Sequence, residues 1–381
     1  MSLNLSTDFP GGNGHLLGVE HSADGEVIRF AAQSKRGEPQ PLWFHFRIQG
    51  AQGPRIRCIL ANAGQCLGDV NGWAANAPVY RTGNGDWQRV GSVHLQENEH
   101  LVQEAVFDIF AGSNSVEIAF CYPYQATDLE DTLKSLPVWK SCVIGQSPGD
   151  HQLIRLYNDL GDEQRSKPGI YLMARHHSGE TPGSLVLDGM LRYLASEQGK
   201  KACENICWWI NPFSDIDGVL DGSYGKDQAP VDINRAWNTP FPTRAEVKAI
   251  MADLSRWMRR CRPLAVIDLH APSHEESGFY FHLPKAPTPL LEMSKQLADR
   301  LHHAVPESLR GNLIHTYDRL DHTSAQSGVN SIDFVIRELA CMGATFEIAY
   351  QGPRTGEYYS IEDYHTIGRA LVDVLYEFTA S

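Results

Sequence analysis

Positive charge is scarce in this 381-residue chain: 33 lysine and arginine residues face 46 aspartate and glutamate, a formal charge of −13. A surface of that sign repels phosphate backbones, which argues against nucleic-acid binding and disfavours a large acidic polymer as substrate. Long apolar runs are missing too. No stretch approaches the ~20 apolar residues that span a bilayer, so no membrane partner is expected. Met1–Asp8 has neither a basic nor an apolar segment and is not expected to be a signal peptide. Cysteines are scattered, at Cys58, Cys66, Cys121, Cys142, Cys203, Cys207, Cys261 and Cys341, with no C-x-x-C among them. Cys203 and Cys207 are the closest pair, and their spacing makes no zinc motif. Most lie in apolar stretches and read as buried free thiols, which points to the cytoplasm. The sequence has no internal repeat and no low-complexity segment.

A hydrophobic content of 42% is ample for a packed core, and the length suggests two domains. Val27–Ala32, Trp43–Ile48, Arg55–Leu60 and Val116–Phe120 are short, β-branched or aromatic runs separated by Gly-, Asn- and Pro-rich turns. They predict a small antiparallel β-sandwich over residues 1–122, with its aromatic residues in the core. After Tyr124 the pattern changes. A short helix from Thr127 and a hairpin, Ser141–Ile144 with Gln152–Leu156, lead into alternating strands and helices. Strands are expected at Ile170–Ala174, Ile206–Ile210, Leu264–Leu269, Gly278–Phe281 and Thr345–Tyr350. Helices are expected at Gly183–Ser196, Thr243–Cys261, Pro289–Val305, Ser331–Met342 and Ile361–Phe378. Residues 123–381 thus read as an α/β domain, a mixed, mostly parallel sheet flanked by helices.

His177 and Glu180 fall on the turn between the first of these strands and its helix. An imidazole and a carboxylate three residues apart can reach one metal ion, although H-x-x-E is a common pattern by itself. His270 ends another buried strand, and ligands of open α/β sheets bind beyond the carboxyl ends of strands. A lone histidine there is also a common structural residue. Asp268 is a candidate carboxylate behind His270, though strand alternation is read as pointing it away. Two histidines and a glutamate with an open fourth position form a hydrolytic zinc arrangement, in which the metal acidifies a bound water and polarises a carbonyl. Such a site needs a base. Glu347, inside an apolar strand, is either paired to an arginine or faces a cleft, where it would take a proton from that water. Asn234 and Arg235 stand together in a loop before the Thr239–Pro242 turn. A guanidinium there can hold a carboxylate bidentately, while isolated Asn-Arg pairs are common on surfaces.

Together these segments resemble the zinc metallocarboxypeptidases, in their cytosolic carboxypeptidase branch. Ala174–Thr181 is similar to A-R-x-H-x-G-E-T, and Asn211–Val219 to an expanded N-P-D-G-V loop. Asp232–Trp237 is similar to D-x-N-R-x-W, Asp268–His270 to the strand of the third ligand, and Thr345–Glu347 to that of the catalytic glutamate. Trp43–Ile48 and Phe120–Tyr124 resemble the small β-domain that precedes the catalytic domain in this branch. The resemblance implies one Zn2+ per chain on His177, Glu180 and His270, with Glu347 as general acid/base. Asn234 and Arg235 would hold the C-terminal carboxylate of a peptide or protein substrate. His176 would stand behind the ligands or be exposed.

The sequence departs from this family at an arginine, expected ten positions before Arg235, that stabilises the oxyanion. Gly225 stands there, followed by Lys226. Either Lys226 or another arginine such as Arg175 takes its role, or activity is weak or altered. Tyr317 is the nearest match to the mobile tyrosine of digestive members. Ile332, fifteen positions before Glu347, would line the pocket for the last side chain and, being apolar, argues against a terminal glutamate; the alternative is that it simply begins the buried face of its helix. The expected activity is zinc-dependent hydrolysis of the C-terminal peptide bond. A zinc deacylase of small N-acyl amino acids and a catalytically weak peptide-carboxylate binder are the alternatives.

Overall fold

The computed structural model describes residues 3–22, 25–50, 54–110, 115–238, 241–283, 289–317 and 328–379. The first part is a sandwich of two five-stranded sheets. One sheet orders Asn4–Ser6, His45–Gln49, Ser115–Ala119, Val79–Thr82 and Gln88–Arg89; the other orders His15–Ser22, Gly25–Ala31, Arg55–Leu60, Gln103–Phe110 and Val93–Glu97. Gly25–Ala31 alternates buried and half-buried residues, and its inward Phe30 lies 4.8 Å from Phe46 of the facing sheet. The expected aromatic core is therefore present. Among the described residues all pairings of the sandwich are antiparallel except one, Gly25–Ala31 with Arg55–Leu60. Between those two the chain crosses to the other sheet as His45–Gln49, so it returns running the same way.

The second part is an eight-stranded sheet with helices on both faces. Its order is Lys140–Gln146, Gln152–Tyr157, Cys207–Asn211, Pro168–Ala174, Arg262–His270, Met342–Ile348, Phe279–Leu283 and His315–Tyr317. The four strands from Cys207–Asn211 to Met342–Ile348 are mutually parallel, and the first pair is the expected hairpin. Alternation divides the core. Ile170 and Leu172 pack with Leu185, Val186 and Leu371 on one face, while Tyr171 and Met173 pack with Val247, Leu254 and Trp257 on the other. No helix among the described residues is long and apolar enough to cross a membrane.

One predicted boundary moves. The helix expected to reach Met342 ends at Leu339, because Ala340 takes a left-handed φ of 48° that ends it. Cys341 and Met342 are apolar enough for either element, and Met342 opens the strand. All eight cysteines are free thiols, and only Cys142 is not fully buried. Thr239 and Pro240, from the predicted turn after Trp237, lie outside the described residues.

Candidate metal centre and active site

Sheet register assembles the site. Pro168–Ala174 and Arg262–His270 run side by side, with Ala174 opposite Leu269, so both chains leave the sheet at the same level. Met342–Ile348 lies on the far side of Arg262–His270 and sets Glu347 directly beside His270. The chain then turns sharply at Arg175, which has a φ of 60°. The Arg175 guanidinium is buried within that turn and donates to the carbonyl oxygens of Ser178 and Tyr124 and to the Ser184 hydroxyl. Helix Thr181–Leu194 starts with Pro182 in its first turn, which the fixed φ of proline favours. Glu180 is thus held at a helix start while His177 stays on the turn before it.

One donor atom from each of His177, Glu180 and His270 lies within 4.8 Å of the other two, and all three residues are buried. Nδ1 of His177 is 2.8 Å from Glu180 Oε1, and Nδ1 of His270 is 2.8 Å from Glu180 Oε2. The opposite ring nitrogens face carboxylates: His177 Nε2 is 3.2 Å from Asp232, and His270 Nε2 is 3.1 Å from Asp268. Carboxylates behind imidazole ligands fix ring orientation and raise ligand basicity. Against the opposing effect of burial, Glu180 and then Asp232 push the His177 pKa up to about 9. Two inward imidazole nitrogens, one carboxylate and buried anions behind them fit a zinc ion with an open fourth position.

Asp268 corrects the expectation from alternation. Residues two apart on a strand share a face, so Asp268 points the same way as His270. It also accepts hydrogen bonds from His176 Nδ1 at 2.9 Å and from the Ser331 hydroxyl. His176 is therefore buried behind the ligands, stacked nearly parallel to His270 at 5.8 Å. Asp232 is the residue whose role sequence reasoning missed. It lay inside the D-x-N-R-x-W stretch, but no role was given to it.

Glu347 is half-buried, yet its Oε2 is sealed from solvent and accepts no hydrogen bond from the described residues. Burial pushes its carboxyl up to about 7, with Glu180 adding to the rise and His270, His282 and Lys226 opposing it. Lys226 is half-buried and close enough for its charge to be felt there. Arg175 is not aimed at the ligands, since its guanidinium serves the turn behind them. At Gly225, φ is 93° and an added Cβ would stand 2.6 Å from the Ser178 nitrogen, so a side chain does not fit this backbone.

Asn234 is buried, with Nδ2 3.3 Å from His270 Nε2 and Oδ1 accepting from Ser331 N–H at 3.0 Å. Arg235 is half-buried beside it. Ile332 is buried in the first turn of its helix, against Gly343. Tyr317 lies on the outermost strand, beneath the Lys295 ammonium, and residues 318–327 lie outside the described part.

Residues 129–365 match the zinc carboxypeptidase family, and residues 5–120 match the cytosolic carboxypeptidase N-terminal domain. The chain belongs to the zinc carboxypeptidase family. Among curated relatives, cytosolic carboxypeptidase 6 of Caenorhabditis elegans is 25% identical over 289 residues, covering 71% of this chain and 62% of that protein. The human cytosolic carboxypeptidase 6 is 26% identical over 291 residues, covering 71% and 57%. The chain therefore spans less than two thirds of the length of these relatives. Among solved structures, a metallo-carboxypeptidase from Burkholderia cenocepacia superposes with a TM-score of 0.80 at 18% identity, covering 100% of this chain and 99% of that one. A metallo-carboxypeptidase from Pseudomonas aeruginosa, in complex with (2-guanidinoethylmercapto)succinic acid, gives 0.77 at 20% identity, covering 99% of each chain. These two structures share the fold.

Proposed function

We propose that the chain is a zinc-dependent carboxypeptidase that removes residues from the C-termini of peptides or proteins. The observation that carries this reading is Glu347, a carboxylate level with His270 whose Oε2 has no hydrogen-bond partner among the described residues. His177, Glu180 and His270 would hold the zinc ion, which would supply a Lewis acid and an acidified water. Glu347 would take a proton from the attacking water and return it to the leaving amine nitrogen. Lys226 offers positive charge to the developing oxyanion, a role for which no side chain fits at Gly225. Arg235, with Asn234 beside it, docks the terminal carboxylate. Ile332 forms the apolar floor of the pocket for the last side chain. In this reading residues 1–122 are the accessory sandwich and 123–381 the catalytic domain, and the free thiols fit a cytoplasmic setting.

Glu347→Gln tests the assignment. We expect kcat/KM on peptides with a free C-terminus to fall by about 10²–10⁴ with bound zinc unchanged. C-terminally amidated peptides should resist the wild type, and a tetrapeptide should be turned over faster than an N-acyl amino acid. Hydrolysis left intact by the substitution, or a preference for the acylamino acid, would overturn the reading.

A further inference from the structure

The sandwich reaches into the catalytic domain with a buried carboxylate. Glu38, in the loop after Gly25–Ala31, is 2% exposed. Its Oε2 accepts from the Ser223 hydroxyl at 2.6 Å, and its Oε1 accepts from the backbone N–H of Tyr224 at 3.1 Å and of Lys35 at 3.2 Å. Flanking residues repeat the contact. Lys35 donates to the Asp221 carbonyl, Arg36 pairs with Asp215 at 2.9 Å, and the Arg36 carbonyl accepts from Ala229 N–H at 2.9 Å. The chain is therefore gripped on both sides of Gly225 and Lys226.

That same loop is joined to the metal-ligand turn. Gly179 N–H donates to the Tyr224 carbonyl at 2.8 Å, and the Ser178 hydroxyl to the Ser223 carbonyl at 3.0 Å. Asp227 N–H donates to Asp232, the carboxylate behind His177, at 2.8 Å. Gly225 and Asp227 both have positive φ, 93° and 54°. A non-glycine residue in that region persists only where its surroundings over-determine it. A carboxylate buried at a domain junction is costly unless hydrogen-bonded, and charge-assisted bonds to hydroxyl and N–H groups are about twice as strong as neutral ones. Glu38 meets both conditions at the point where the loop needs holding.

We propose that Glu38 is a positioning residue through which the sandwich domain holds the 222–229 loop in the shape that presents Lys226 to Glu347 and the metal ligands. The kinetic consequence rests on the carboxypeptidase reading; the structural consequence does not. Glu38→Gln keeps the size and removes the charge, and Ser223→Ala removes a donor from the other side, so either can carry the test if the other fails to fold.

Amide hydrogen exchange is read across 222–229 in the zinc-loaded protein without substrate. Both variants should exchange there about tenfold or more faster, while strand Arg262–His270 stays protected. On a peptide with a free C-terminus, Glu38→Gln should lower kcat by about 10–100-fold with KM within about threefold, part of what a lost oxyanion donor costs. Combined with Lys226→Met it should lose no more than Lys226→Met alone, because the two act through one group. Unchanged loop exchange in the variants, or rate losses that multiply in the double variant, would overturn the proposal. A wild type without peptidase activity would remove the carboxypeptidase reading, and loop exchange would still decide the role of Glu38.

Discussion

Gly225 has a φ of 93° with the Ser178 nitrogen 2.6 Å from where a Cβ would stand, which leaves no room for the usual arginine. In the proposed mechanism Lys226 supplies that charge from the next residue. Lys226→Met is then expected to lower kcat by about 10²–10³, the usual share of one oxyanion donor, with zinc content unchanged. Lys226→Arg should keep most of the rate. Exchanging the two residues, Gly225→Arg with Lys226→Gly, should not restore the common arrangement, because the loop would have to be rebuilt. A Lys226→Met enzyme with wild-type kcat would remove Lys226 from the mechanism. The residues most legible in the sequence were those whose chemistry demands one residue type at one spacing: His177, Glu180, His270 and Glu347. Asp232 was less legible, because which loop carboxylate meets an imidazole depends on the short turn at Ile233–Arg235. Glu38 left no local signal, since its partners in the catalytic domain, Ser223 and Tyr224, lie more than 180 residues away.

At the scale of elements, hydrophobic periodicity located most of the α/β domain and its hairpin. Among the sandwich strands it missed are His15–Ser22, Val93–Glu97 and Gln103–Phe110. The first two are edge strands and all three carry polar residues, so their burial pattern is set by partners and not by period alone. Polar junctions between elements were also hidden. Asp188, buried on helix Thr181–Leu194, accepts from Tyr124 at 2.9 Å, from Thr132 at 2.7 Å and from Arg192 at 2.6 Å, and faces His365 of helix Ile361–Glu377 at 3.2 Å. These partners hold its carboxyl down at about 2 against the cost of burial. Asp188→Asn should destabilise the protein by about 3 kcal/mol at pH 7, the range for breaking a buried charged network. The folded-state pKa is depressed, so this stabilisation is present above the unfolded-state pKa near 3.9 and is lost as pH falls toward 2. The deficit of the variant should therefore shrink below about pH 4 in denaturant midpoints. A constant deficit across that window would show that the charge is not what Asp188 contributes.

The two parts of the molecule share one apolar core, in which Phe120 of the sandwich packs 4.8 Å from Tyr350, and a polar chain crosses the same junction. Gln351 Nε2 donates to Asn76 Oδ1, and Gln351 Oε1 accepts from Ala77 N–H at 2.9 Å. With its oxygen taken, Asn76 turns Nδ2 toward His274 Nδ1 at 2.9 Å. That nitrogen must accept, so the imidazole is neutral, and burial against Trp73 pushes its pKa down to about 4. Protonation would set a donor against a donor at the domain junction. The unfolded chain takes up this proton near pH 6.5 and the folded chain only near 4, so stability must fall as pH drops through that interval. With zinc saturating, His274 accounts for a loss of about 2 kcal/mol between pH 7 and pH 5. Denaturant midpoints of wild type and His274→Gln at the two pH values measure it. His45, also pushed down by burial, and the candidate zinc ligands contribute equally to both proteins and cancel in the comparison. The variant should lose about 2 kcal/mol less than wild type on acidification, and fluorescence from Trp73 in the sandwich and Trp257 in the α/β domain should change in one transition. Equal losses in the two proteins would place the acid sensitivity away from this junction, and separate transitions would show that the shared core does not couple the two halves.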